Sequence, residues 1–276
     1  MLTLTSGELN TWIAAFLWPL SRMLGLVASA PLFGNSAVPT TVKVMLGATL
    51  ALVIAPAIPA MPAVNPTSMA GLLIVAQEML IGLAMGFAMR IVFAAIEMAG
   101  EVASLTMGLG FASFFDPLTQ GRSSGISQFL TLVATMAFLA VNGHLILIEV
   151  LAESFYTLPV SATPLSIGGP YEMARWGGEI FRSGLQLSLP LVAALLMTNV
   201  ALGILTRAAP QLNLFGIGFP ISLGVGFIVL SLVLPYLAGP FQGLFNRGIE
   251  ASRSIPRAAA ARAPVAAPAP PAPAQP

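Results

Sequence analysis

Three charged side chains near the end of one long apolar segment could do chemistry together. Arg90, Glu97 and Glu101 are separated by seven and four residues, which on a helix places them within about 40° of one another. They could pair with each other or with a neighbouring helix. Charges at membrane depth normally face protein or water and are candidates for function. The alternative is that this end of the helix extends beyond the membrane and is solvated.

Glu78 lies in the same segment, about 120° around the helix from Arg90, so we expect it to have a different partner. A secondary transporter or ion channel could use Glu78, Glu97, Glu101 and Arg90 as an ion pathway, because broken helices and buried carboxylates are features of such proteins. Against this alternative, the sequence shows no paired halves with matching interrupted segments.

The loop that follows, residues 107–122, combines glycines with three phenylalanines. Glycine supplies backbone freedom and phenylalanine supplies apolar bulk. Such a loop could occlude a passage by filling it and expelling water, or its phenylalanines could pack on neighbouring helices. Asp116 and Arg122 could pair across the turn. The candidate residues for occlusion are Gly108, Gly110, Phe111, Phe114, Phe115, Asp116 and Arg122.

A second interrupted stretch, residues 205–220, places an arginine, two prolines, two glycines, a glutamine and an asparagine between apolar runs. Lipid tolerates broken backbone only where protein or a water-filled cavity satisfies the freed amide groups. Arg207, Gln211 and Asn213 could bind an anion, or they could satisfy the carbonyls of broken helices and contact a partner subunit. The stretch favours a membrane protein whose helices are interrupted and pack against partners.

Several classes of function lack the residues they need. The chain has no cysteine and one histidine, His144, which excludes thiolate metal sites and a zinc centre built from clustered ligands. It contains no G-x-x-x-x-G-K, the motif of phosphate-binding loops. A net charge of +1 gives no reason to expect nucleic acid as a partner. We predict a protein that is not an enzyme and has no cofactor or metal.

The elements that carry these residues are apolar and helical. The chain has 276 residues, of which 57% are hydrophobic and 8% charged, against roughly 25% charged in soluble domains. About six segments approach the ~20 residues of a spanning helix, and several are interrupted by Pro, Gly or Asn. We predict an all-α integral membrane protein of bent or broken helical hairpins, with Gly82 and Gly86 allowing close helix contact. The segments are 12–27, 44–58, 69–99, 126–141, 185–205 and 217–237.

The C-terminal part differs in composition from the rest. Residues 1–250 form the predicted membrane-embedded domain, and 251–276 are expected to be a disordered Ala/Pro-rich tail that lacks the apolar bulk for a core. Four arginines follow the last apolar segment, which favours a cytoplasmic C-terminus. They are Arg247, Arg253, Arg257 and Arg262.

Three stretches carry a resemblance to a known family. The pattern R-x-x-P-Q-x-N-x-F-x-x-G-F-P begins at Arg207 and is the most specific. Supporting it are Pro31-Leu32-Phe33-Gly34, which leads through Pro39 and Lys43 into an apolar run, and Asn142-Gly143-His144. Together they resemble the FliR family of export-gate proteins of flagellar and virulence-type type III secretion systems, and the 210–220 stretch is closer to the flagellar branch.

The resemblance implies a core subunit of the flagellar export gate, a hetero-oligomeric helical assembly in the bacterial inner (cytoplasmic) membrane at the flagellar basal body. It implies FliP-like, FliQ-like, FlhB-like and FlhA-like partners, with unfolded export substrates passing through the centre. The loop 108–122 then corresponds to the family's pore plug. The charged and amide residues named above would face other protein or the pore. A scaffold without a conduit of its own is a further alternative.

Overall fold

Helices make up most of the chain. The computed structural model describes residues 6–58, 61–62, 64–111, 123–209 and 214–260. Within these ranges it has nine α-helices and no strand, which confirms the predicted all-α class. The helices are α1 (Ser6–Ser29), α2 (Thr40–Ile54), α3 (Met69–Thr106), α4 (Gly125–Ala140), α5 (Gly143–Thr157), α6 (Gly168–Trp176), α7 (Glu179–Ala208), α8 (Leu214–Val233) and α9 (Ala238–Ala260).

The number of membrane spans depends on one bend. Among the described residues, five helical runs are long and apolar enough to cross a membrane, and the count rises to six if α4 and α5 form one bent span. The two helices meet at 65°. Asn142 at the bend has a φ of 54°, a left-handed conformation that asparagine tolerates better than most residues. The predicted membrane fold with bent helices is confirmed.

Helix α3 is the element around which the others pack. It contacts α1, α4, α7 and α9, and 61% of the residues in its most apolar stretch are buried, against 11% for the stretch that contains α2. The side chain of Ser68 caps its start by accepting a hydrogen bond from the Gly71 amide at 3.1 Å. No proline interrupts its 38 residues. Side chains on several faces of α3 are therefore fixed relative to the rest of the protein.

Helices α1 and α3 approach each other through glycine. A Cβ atom on Gly82 would lie 1.9 Å from the carbonyl oxygen of Arg22, and one on Gly86 would lie 2.1 Å from the Ser29 hydroxyl oxygen. Neither position has room for a methyl group, so the predicted close contact through Gly82 and Gly86 is confirmed. The contact places the backbone of α1 directly against α3.

Three phenylalanine rings join α3, α4 and α9. Phe93 and Phe138 pack edge to face with centroids 5.8 Å apart, and Phe138 and Phe245 do so at 5.2 Å. Phe93 and Phe245 stack at 6.0 Å. All three are buried, and aromatic pairs in such geometries are favourable beyond the area that they bury.

Helix α9 extends beyond the predicted end of the domain. It continues to Ala260 and packs on α3, α5 and α6, so residues 251–260 are helical and contact the core instead of belonging to the tail. The predicted boundary fell at residue 250 because this helix is amphipathic, with one buried face and one charged face. Such a helix lacks the uniformly apolar run that marks a spanning segment in a sequence. Residues 261–276 lie outside the described residues.

Candidate functional site

The end of α3 and the start of α4 hold the two ends of the predicted plug loop. We call this region the loop base and define it by Glu97, Glu101, Gly108, Ser123 and Ser124. Residues 112–122, which lie between its two sides, are outside the described residues. The loop base is where the sequence-predicted site and the structure can be compared directly.

On its N-terminal side, the loop base depends on a glycine. Gly108 has a φ of 85°, a left-handed conformation that residues with a Cβ rarely adopt. A Cβ there would also lie 3.2 Å from the ring of Phe219 on α8. Met107, the preceding residue, is fully buried. The chain therefore turns sharply out of α3 at a fixed point beside α8.

On its C-terminal side, two carboxylates of α3 bind consecutive residues. Glu97 accepts a hydrogen bond from the Ser123 hydroxyl. Glu101 accepts one from the backbone N–H of Ser124 at 2.6 Å. Both carboxylates are half-buried, and hydrogen bonds to an ionised carboxylate are stronger than those between neutral groups. The two glutamates therefore fasten the chain to α3 where it re-enters a helix.

The first turn of α4 has further contacts of its own. The Ser124 hydroxyl caps the helix by accepting from the Ser127 amide at 3.2 Å, and the Ser127 hydroxyl donates to the Glu97 carbonyl oxygen at 2.9 Å. A Cβ on Gly100 would lie 2.4 Å from the Ser127 Cα, so the two helices touch here. The start of α4 is thus packed tightly against α3.

An apolar cavity of about 490 Å³ lies beside the loop base, between α4 and α8. Leu109 contributes to its wall from the short 3-10 turn that follows α3. Almost all of the lining is hydrocarbon, which suits apolar groups and disfavours ions or polar ligands. Its main lining side chains are Leu109, Ile126, Phe129, Phe227, Leu230 and Leu234.

A second polar site lies nearer the start of α3. Arg22 of α1 is fully buried, and its Nε donates to Glu78 at 2.6 Å. Its two terminal nitrogens donate to the Ser154 hydroxyl at 2.9 Å and to the Leu158 carbonyl at 3.0 Å. The guanidinium carbon also lies 4.1 Å from the centre of the Phe155 ring. Glu78 thus has the separate partner that its position on the helix predicts.

Salt bridges also tie α9 to the rest of the protein. Arg247 binds Glu179 at the start of α7, and its other terminal nitrogen donates to the Ser183 hydroxyl at 3.3 Å. Arg253 binds Glu153 of α5 at 3.0 Å. Two of the four arginines that indicated a cytoplasmic C-terminus, Arg247 and Arg253, therefore also link helices.

The structure separates the predicted polar residues. Arg90 is exposed and makes no ion pair with any described residue, and the same is true of Arg207. Glu78 and Glu97 are about 28 Å apart along α3, so the carboxylates form two sites and not one continuous line. Within the described residues, no group of three or more His, Asp and Glu could hold a metal ion. Phe114, Phe115, Asp116, Arg122, Gln211 and Asn213 lie outside the described residues, as does the side chain of Phe111.

Sequence reasoning missed Arg22 as a site residue, along with Ser123, Ser124, Glu179 and Arg247. Arg22 did carry a signal: a lone arginine in an apolar helix needs an opposite charge, and Glu78 was the unassigned carboxylate. The serines carried none, because a serine beside a loop is common and its partner depends on how α3 and α4 pack.

Comparison with known proteins places the chain in a family. Residues 13–248 match the profile described as "Bacterial export proteins, family 1". The flagellar biosynthetic protein FliR of Pectobacterium carotovorum subsp. carotovorum is 43% identical over 249 residues, covering 89% of this chain and 94% of the relative. FliR of Escherichia coli (strain K12) is 40% identical over 246 residues, with coverage of 89% and 94%.

A more distant relative gives the same result. The flagellar biosynthetic protein FliR of Bacillus subtilis (strain 168) is 30% identical over 244 residues, covering 87% of this chain and 94% of the relative. The resemblance read from three short motifs is confirmed along nearly the whole described chain. The chain therefore belongs to the bacterial export proteins, family 1, together with the flagellar FliR proteins.

Proposed function

We propose that this chain is a core subunit of the flagellar type III export gate and helps to form and plug the conduit for unfolded export substrates. The observation that carries the proposal is the match to flagellar FliR proteins over 94% of their length. The helical membrane fold agrees with this role, since export across a membrane needs a protein that spans or enters it. The role is structural and assigns no catalytic step to the chain.

The plug is proposed to be the loop 108–122, with Phe111, Phe114 and Phe115 as the occluding side chains. Two features of the loop base support this proposal. Gly108 turns the chain out of α3 at a fixed point, and Glu97 and Glu101 hold it where it returns. A loop fixed at both ends can present apolar side chains at a defined place, which occlusion by dewetting requires.

The proposed partners are FliP-like and FliQ-like gate subunits, with FlhB-like and FlhA-like components, in the bacterial inner membrane at the flagellar basal body. Large apolar side chains are exposed along α2, α7 and α8, and such surface needs lipid or another subunit to cover it. Arg207 is exposed at the end of α7 and is available to contact a neighbouring subunit, with Gln211 and Asn213 following it in sequence.

Purification of a tagged chain from its native host tests the assignment to a gate. We expect FliP-like and FliQ-like proteins to co-purify in detergent, because the exposed helices need partners. Recovery as a stable monomer or homo-oligomer that transports an ion would contradict the proposal and favour a transporter.

Shortening the loop tests the plug. We expect deletion of residues 111–115 to leave the assembled complex intact and to let small solutes leak across the membrane, because the apolar occluder is removed. The measurement is release of trapped carboxyfluorescein from phospholipid vesicles that contain the purified complex. Unchanged permeability in a correctly assembled complex would contradict the plug assignment.

A further inference from the structure

Glu97 and Glu101 are one turn apart on α3, and they bind residues 123 and 124, which are adjacent in the chain. Two neighbouring carboxylates on α3 therefore bind two neighbouring residues at the end of the loop. Each contact crosses more than twenty residues of sequence, so the pair sets a tertiary position and not a local turn.

We propose that Glu97 and Glu101 are positioning residues of the gate, which hold the C-terminal side of the loop base, Ser123 and Ser124, against α3. This inference rests on the proposed function, because it assigns the two carboxylates to the plug. It names the residues that hold the loop, whereas the plug proposal concerns the side chains that fill the passage.

Helix α4 can begin at Gly125 without the two carboxylates. The Ser124 hydroxyl already caps the helix, and the Ser127 hydroxyl is bonded to the backbone of α3. The Ser124 N–H, one of the free donors that precede a helix, could bond to water at a half-exposed site. What the glutamates add is a fixed separation between α3 and the two residues that leave the loop.

The charges also suit their places. Glu101 approaches the N-terminus of α4, where the aligned peptide dipoles favour a negative charge. Glu97 reaches the Ser123 hydroxyl, one residue further from the helix. Both are half-buried, so water competes with these bonds less than it does at an open surface.

The two contacts differ in a way that allows a clean test. Glu97 bonds to a side chain, so Ser123→Ala should reproduce Glu97→Ala. The Glu97→Ala/Ser123→Ala double variant should be no worse than either single variant, because the same bond is lost in all three. Glu149→Ala is the matched control, since Glu149 is exposed on α5 and has no ion pair with a described residue.

Glu101 bonds to the backbone, so Ser124→Ala should leave that contact in place. Ser124 has a φ of −60°, which proline adopts without strain, so Ser124→Pro removes the N–H and keeps the backbone angle. Both substitutions lose the hydroxyl cap. The proline ring also restricts Ser123 and occupies the place of the N–H beside Glu101. The part of the difference between the two substitutions that disappears in a Glu101→Ala background therefore reports the Glu101 bond.

The experiment uses the complete gate purified from its native host in vesicles loaded with carboxyfluorescein, with the 111–115 deletion as the reference for an open plug. We expect Glu97→Ala, Ser123→Ala, Glu101→Ala and Ser124→Pro to release dye faster than wild type, with Glu149→Ala at the wild-type rate. Hydrogen exchange in residues 123–128 is the second readout, and we expect it to rise by roughly tenfold in Glu101→Ala.

The two proposals fail in different ways. If the deletion leaks while the four variants neither leak nor exchange faster, the positioning role is overturned and the plug stands. If the deletion itself does not leak, the plug is overturned. The assignment of Glu97 and Glu101 to the plug is then overturned with it, even where faster exchange shows that they hold residues 123–128.

Discussion

Helix α3 carries two polar sites, which differ in the burial of their carboxylates and in the groups that bind them. Glu78 is 3% exposed and meets a guanidinium that is itself fully buried. Glu97 and Glu101 are half-buried, and their donors among the described residues are neutral, a hydroxyl and a backbone N–H. The first site joins three helices in the interior, and the second fastens the end of a loop to the helix surface.

The difference indicates what each site is for. A buried charge without its partner is strongly destabilising, so the Arg22 and Glu78 pair cannot open without a large loss of stability. Bonds between a half-exposed carboxylate and neutral donors can be exchanged for water at a smaller cost. The interior site is therefore suited to hold the fold permanently, whereas the bonds at the loop base can open at a smaller cost in stability.

The largest expected effect comes from breaking the interior site. Arg22→Ala leaves the Glu78 carboxylate buried without its cation, which should lower the free energy of unfolding by about 3–5 kcal/mol. The measurement is thermal unfolding of the purified complex, together with the amount of protein that accumulates in the membrane.

A paired substitution separates charge from packing. Replacing both partners, as Arg22→Met with Glu78→Met, should recover a large part of the loss because no unpaired charge remains. Equal melting temperatures for wild type and Arg22→Ala would contradict the comparison between the two sites.

A smaller effect is expected at the crossing of α1 and α3. Gly82→Ala would place a methyl group 1.9 Å from the Arg22 carbonyl oxygen, which forces the helices apart and should cost about 1–3 kcal/mol. Thermal unfolding of the same complex measures it. Gly203→Ala on α7 is the control, since its methyl group meets nothing within 4 Å. If both substitutions had the same effect, close packing at Gly82 would not matter.

The smallest effect on stability is expected at the loop base. Glu97→Gln keeps a carbonyl oxygen that can accept from Ser123, so the free energy of unfolding should fall by about 1 kcal/mol or less. The same unfolding experiment applies. A loss as large as that of Arg22→Ala would show that the loop base is part of the permanent core, and the contrast between the two sites would fail.

The sequence predicted the parts of the structure that depend on local pattern. The bend at Asn142-Gly143 follows from local sequence, because this pair of residues interrupts a helix without help from distant segments. The contact through Gly82 and Gly86 follows from the spacing of small residues on one face. The separation of Glu78 from the other carboxylates follows from helical geometry alone.

The remaining features depend on how distant segments pack. Arg90 shares a face with Glu97 but is about 10 Å away along the helix, so angular agreement did not produce a contact. Arg22 is 56 residues from Glu78, and nothing local indicates the pairing. The last ten residues of α9 were missed because a helix with one charged face does not resemble a spanning segment. The roles of the loop 108–122 and of Arg207, Gln211 and Asn213 stay predictions.

The size of α3 has a consequence for how the chain sits in a membrane. Its 38 residues extend for about 57 Å, while the hydrocarbon layer is about 30 Å thick. Even at a tilt of about 40°, the upper end of the usual range, a helix needs only about 26 residues to cross that layer. Roughly a dozen residues of α3 must therefore lie outside the hydrocarbon, and a helix that overshoots the bilayer can deliver its end to a level that lipid does not reach.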